Sequence, residues 1–113
     1  MHEQLETVLG IHFQNPQLLT LALTHRSYIY ETAGEGQTSN ERLEFLGDSI
    51  LALVSAEFLY RAFPHLAEGE LTDARAFLVR TETLATFARE INLWTFLLMG
   101  KGEQNSGGGQ RVL

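Results

Sequence analysis

The chain has 113 residues, 44% hydrophobic and 19% charged, with 8 Lys+Arg against 14 Asp+Glu for a formal net charge of −6. That balance specifies one globular domain and excludes a disordered chain. The absence of Cys excludes a disulfide framework, a thiolate zinc site and a Cys nucleophile, and the acidic surplus excludes a basic domain held on nucleic acid by phosphate neutralisation alone.

Helical periodicity dominates the chain. Leu5, Val8 and Leu9, with Ile11, predict a short amphipathic first helix ending at Gly10. Asn15-Pro16 reads as an N-cap followed by Pro at the first helical position, where its missing N–H costs nothing. The helix it opens, to about Thr24, is dense in Leu, and His25 to Tyr30 is expected to continue or fray it. Glu31 to Ser39 has no period and reads as a loop. Ser39 or Asn40 then caps the main helix, which runs to about Ala62 and stops at Phe63-Pro64. Its Leu46, Ile50, Leu53, Val54 and Phe58 fall on one broad face and Phe45, Ala52 and Ala56 on another, so it is expected to be central and surrounded.

Ala67 to Glu70 reads as an acidic turn, Leu71 to Arg80 as a helix, and Glu82 to about Glu90 as another capped by Thr81. Asn92 to Met99 adds a further turn or two, and the aromatic residues Tyr28, Phe58, Phe77, Phe87, Trp94 and Phe96 are expected in the core. From Gly100 the sequence turns Gly-rich, predicting a domain over 1–100 and a flexible tail over 101–113. No run reads as β-strand, so the fold class is all-α. No apolar run approaches the ~20 residues of a membrane span. The polar start Met1-His2-Glu3-Gln4 lacks the pattern of a signal peptide, and a cytoplasmic location is expected.

Half of the acids lie between Glu41 and Asp73. Glu41, Glu44 and Asp48 stand at i, i+3 and i+7, within about 60° of one another on a helix. Like charges so placed repel by a few tenths of a kcal/mol each. On a helix otherwise clad in Leu, Ile and Phe, a hard divalent cation offsets that cost, and Mg²⁺ takes one or two carboxylates with water and phosphate oxygens in its other positions. A solvated polar stripe beside Arg42 is the alternative. A di-iron carboxylate bundle is excluded, because none of His2, His12, His25 and His65 follows a Glu by three residues.

The run Asn40-Glu41-Arg42-Leu43-Glu44-Phe45-Leu46-Gly47-Asp48-Ser49 resembles the signature of the ribonuclease III family. The likeness extends in the family's order through Leu23-Thr24-His25-Arg26-Ser27-Tyr28, Phe63-Pro64, Glu68-Gly69-Glu70-Leu71, Arg75-Ala76 and Gly100-Lys101-Gly102-Glu103. It implies an all-helical endonuclease domain that forms a symmetric dimer and cuts double-stranded RNA, in rRNA precursor processing and RNA turnover. It implies Glu44 and Asp48 as Mg²⁺ ligands (Mn²⁺ substituting) and catalytic residues with Glu41, and Glu41 and Glu68 as outer acids that place RNA or water. The products implied are 5′-phosphate and 3′-hydroxyl ends.

In the family, a further helix carrying an Asp and a Glu follows the stretch that Ser106-Gly107-Gly108 resembles, and a double-stranded-RNA-binding domain is usual beyond it. Neither has a counterpart in this sequence, so the expected fold lacks its last helices, and the apolar face around Phe45, Leu46 and Ile50 is expected to lie uncovered or to be covered by dimerisation. The same lack makes a catalytically inactive dimerisation or RNA-scaffolding module the alternative function, and a fragment of a longer enzyme a third reading. His25, Arg26 and Lys101 are further candidates for RNA contact. Helix-end packing is the plainer use of the first two, and a solvated face that of Arg75, Arg80 and Arg89.

Overall fold

The computed structural model describes residues 2–32 and 38–105 and is all-helical over them. Seven α-helices follow in order: α1 His2–Leu9, α2 Pro16–Ala22, α3 Arg26–Thr32, α4 Glu41–Ala62, α5 Glu68–Val79, α6 Thr81–Glu90 and, after a 3₁₀ turn at Leu93–Phe96, α7 Lys101–Asn105. No strand occurs among the described residues. Thr24 and Leu98 form one isolated parallel bridge. The remainder of the expected loop, 33–37, and of the Gly-rich tail, 106–113, lies outside the described residues.

Local chemistry explains most boundaries. Gly10, at φ 72°, takes the left-handed conformation that closes α1. The Asn15 side chain accepts from the N–H of Leu18, and Pro16 occupies the first turn of α2. The acidic stretch at 68–70 is the first turn of α5 and not a separate turn. Glu70 reaches back to accept the Ala67 N–H at 3.1 Å, and acids suit the positive end of a helix. Arg80, with Thr81 already helical, holds the cap position of α6. Lys101–Asn105, expected within the Gly-rich tail, forms a short helix.

The break between α2 and α3 is the most consequential departure from expectation. Thr24 and His25 leave the helix because distant chain claims their backbone. The Leu98 N–H donates to the Leu23 carbonyl at 2.8 Å, the His25 N–H to the Leu98 carbonyl at 2.9 Å, and the Asn40 N–H to the Thr24 carbonyl at 2.9 Å. α3 therefore starts afresh at Arg26 as a separate helix.

Leu5, Leu19 and Leu23 form the core, with Phe13, Leu93, Phe96 and Leu97 packed against them. The long helix is not surrounded, contrary to the expectation drawn from its composition. α4 packs chiefly on α5, burying Ser55 and Leu59, while Phe45 is 80% and Leu53 67% exposed. Leu46, Ile50, Val54 and Phe58 are likewise more than half exposed. Of the six aromatic residues expected in the core, Phe58, Phe77, Phe87 and Trp94 are exposed, whereas Tyr28 and Phe96 are half-buried. For Phe45, Leu46, Ile50, Leu53, Val54 and Phe58 the physical reason is one: a helix apolar around most of its circumference needs neighbours on every side, and among the described residues α4 packs chiefly against α5. The uncovered face around Phe45, Leu46 and Ile50 is as expected.

Candidate active site

The start of α4 is anchored, and the anchor places the acidic stripe. Asn40 makes no side-chain cap bond to its own helix. Its amide Nδ2 donates instead to the Ala22 carbonyl at 3.0 Å, while its backbone N–H holds Thr24. Ser39 occupies the other side, its hydroxyl donating to Glu41 Oε1 at 2.8 Å. The first turn of α4 is thereby tied to the corner between α2 and α3.

Glu41 and Glu44 consequently face a cleft of about 420 Å³ that His25, Arg26, Asn40 and the apolar side chains of Leu93 and Leu97 also line. Asp48 stands one turn beyond Glu44 on the same exposed stripe. The side-chain carboxylates of Glu44 and Asp48 have no hydrogen-bond or ion-pair partner among the described residues, although the Glu44 backbone N–H donates to the Asn40 carbonyl at 2.8 Å. Glu68, at the first position of α5, lines a different cleft with Glu57, Tyr60 and Arg75. Lys101 is exposed on α7, with its backbone N–H bound by Glu31. Thus His25 and Arg26 join Glu41 and Glu44, whereas Glu68 and Lys101 stand apart from that cleft. Among the described residues, no group of three or more His, Cys, Asp or Glu is placed to hold one metal ion.

Several supporting residues escape sequence reasoning. Gly100 donates its N–H to Ser27 Oγ at 2.9 Å, and the Glu31 carboxylate accepts the N–H groups of Lys101 at 3.0 Å and Gly102 at 3.4 Å. A side chain at Gly100 would collide with the Glu31 carboxylate and stand 2.8 Å from the Ser27 carbonyl oxygen, so only Gly allows α3 and α7 to approach this closely. The single signal available beforehand was that Ser27 and Gly100 fall among the landmarks of the family resemblance.

Carboxylates on one exposed helical stripe do not by themselves define a class of protein; comparison with known proteins does. Residues 15–113 match the family model described as ribonuclease-III-like. The chain is 50% identical over 108 residues to Ribonuclease 3 of Carboxydothermus hydrogenoformans, covering 96% of this chain and 46% of that protein. It is 50% identical over 107 residues to Ribonuclease 3 of Pelotomaculum thermopropionicum, covering 95% of this chain and 44% of the relative. The fold matches the nuclease domain of ribonuclease III from Campylobacter jejuni, with a TM-score of 0.84 and 42% identity over 96% of this chain and 71% of that one; that structure is described for flexibility in a region involved in dimer formation. The chain belongs to the ribonuclease III family, and it spans a little under half the length of these curated relatives.

Proposed function

We propose that this chain is the catalytic part of an Mg²⁺-dependent endoribonuclease that cuts double-stranded RNA as a homodimer, in rRNA precursor processing and RNA turnover in the cytoplasm. The observation that carries the reading is the stripe of Glu41, Glu44 and Asp48 along α4 in a member of this family. Glu44 and Asp48 offer hard oxygen donors that no protein group claims among the described residues, and Mg²⁺ binds through one or two carboxylates, leaving room for water and phosphate. Those two residues would hold the ion, with Mn²⁺ able to replace it. When bound, the metal supplies Lewis-acid polarisation of the scissile phosphate and a lowered pKa for water.

The chain's own groups do the remaining work. Glu41, fixed by the Ser39 hydroxyl, is positioned to accept a hydrogen bond from water entering the cleft. Arg26 brings positive charge to a cleft that otherwise holds two carboxylates and would repel RNA phosphates. Glu68 serves as an outer acid that places RNA or water from the start of α5. In-line attack by water on phosphorus breaks the P–O3′ bond, leaving a 5′-phosphate and a 3′-hydroxyl. No side-chain nucleophile takes part.

The test is incubation of the chain with a long RNA duplex and Mg²⁺ beside the Glu44→Gln and Asp48→Asn variants. Duplex cleavage lost in both variants supports the assignment, and cleavage unaltered by them overturns it. A second reading, an inactive dimerisation or RNA-scaffolding module, is favoured by one observation: among the described residues no three acids or histidines gather around one point. It predicts duplex binding or self-association without cleavage and weak Mg²⁺ affinity in calorimetry. Saturable cleavage excludes it.

A further inference from the structure

We propose that Ser27 locks His25 as the neutral imidazole protonated at Nε2, and that His25 offers this N–H to a phosphate oxygen of RNA in the Glu41–Glu44 cleft. The inference rests on the RNA reading above and deepens it by giving the cleft a shaped neutral donor and a positioning residue behind it.

Two hydrogen bonds hold the ring and a third holds Ser27. The Ser27 backbone N–H donates to His25 Nδ1 at 3.2 Å, which requires a lone pair on that nitrogen. The Ser27 hydroxyl lies 2.8 Å from the same nitrogen. Its oxygen is already an acceptor, because the Gly100 N–H donates to it at 2.9 Å from 73 residues away. Because Nδ1 accepts the Ser27 backbone N–H it has no proton to offer, so the hydroxyl gives its hydrogen to Nδ1, and every bond in the chain Gly100 to Ser27 to His25 runs in one direction. A nitrogen receiving two donors carries no proton of its own, so the ring proton sits on Nε2.

Nε2 has no partner among the described residues, and His25 lines the cleft with Arg26, Asn40, Glu41 and Glu44. Glu41 already accepts from Ser39. A phosphate entering beside two carboxylates needs donors to offset the repulsion, and an oriented N–H does so without adding a charge. Arg26 supplies the charge and His25 the direction.

The closing experiment reads the ring and the RNA separately. At pH 8, ¹⁵N shifts of the imidazole are expected to show the Nε2-protonated form at His25 in the wild-type chain and in Ser27→Thr, and a mixture of tautomers in Ser27→Ala. Binding of a short RNA duplex in EDTA is expected to weaken about threefold to tenfold in Ser27→Ala and His25→Phe, with Ser27→Thr close to wild type. Because a neutral donor releases no counterion, the slope of log affinity against log salt stays unchanged in those variants, while Arg26→Gln lowers it by about one. His25→Phe leaves Ser27 joined to Gly100 and carries the binding arm if Ser27→Ala does not fold. A proton on Nδ1 in the wild type, or a tautomer indifferent to Ser27→Ala, overturns the lock. Unchanged affinity in His25→Phe overturns the phosphate contact. A wild-type chain that binds no duplex sinks the RNA reading together with that contact, and the ring shifts still decide the lock independently.

Discussion

At the residue scale, the metal-holding role proposed for Glu44 and Asp48 carries a cost in stability that substitution exposes. Both are exposed, sit at i and i+4 on α4 and share a charge sign. Such a pair is unfavourable by about 0.2–0.5 kcal/mol. Glu44→Gln or Asp48→Asn removes that repulsion at constant shape. Each is expected to leave thermal stability unchanged or raise the midpoint by about 1–3 °C, while reducing Mg²⁺-dependent duplex cleavage by more than about a hundredfold. A melting curve and a cleavage gel on the same preparations check both halves. Gly100 is the opposite case, a residue whose value is its lack of a side chain. A Cβ there would meet the Glu31 carboxylate and the Ser27 backbone carbonyl, and a backbone atom of a helix cannot swing aside as a side-chain tip does. Gly100→Ala is expected to cost about 1–3 kcal/mol and to lower the melting midpoint by about 4–12 °C.

At the scale of elements, the attachment of α4 to the α2–α3 corner decides where the stripe points. Asn40 is at the cap position yet spends its amide on Ala22, a donor role that Asp cannot fill. Asn40→Ala is expected to destabilise the chain by about 1 kcal/mol. Asn40→Asp is expected to be worse than Ala, although Asp is ordinarily as good an N-cap as Asn, because it sets a carboxylate against a carbonyl oxygen. Denaturant unfolding of the two variants side by side checks the order, and Asp proving the better of the two would show that ordinary capping governs this position.

The elements differ in how far the sequence announced them, for the same reason that Asn40 misleads. α1, α2 and α4 were legible because their limits are set locally, by Gly10, by Asn15-Pro16 and by Phe63-Pro64. The start of α3 was not, since the break before it is made by Leu98 and Asn40 from far along the chain. The first turn of α5 contains no apolar residue and so has no period to read. The stripe on α4 follows from spacing alone, but its exposure to solvent does not, because the composition of the helix points to one surrounded on every side. The gathering of His25 and Arg26 with Glu41 and Glu44, the separation of Glu68, and the tie from Gly100 to Ser27 all depend on how distant segments meet. No local pattern encodes that.

At the scale of the whole molecule, the governing fact is the apolar surface left on α4. Phe45, Leu46, Leu53 and Phe58 are each more than half exposed, and with Tyr30 and Ile29 they border an open groove between α3 and α4 or extend beyond it along the helix. Contiguous apolar area above a few hundred Å² is more than a monomer ordinarily presents to water. If a second copy covers it, folding is coupled to association, and the melting midpoint must depend on protein concentration. Thousandfold dilution is expected to lower the midpoint by about 5–10 °C, with sedimentation showing a shift from dimer toward monomer over the same range. Phe45→Lys provides the internal control. This side chain is 80% exposed and so contributes little to packing within one chain, and its replacement is expected to abolish the concentration dependence while leaving the midpoint at high dilution unaltered. A midpoint that stays fixed across the dilution series, with a monomeric mass throughout, would show that the exposed face of α4 is stable in water on its own and that dimerisation does not depend on it.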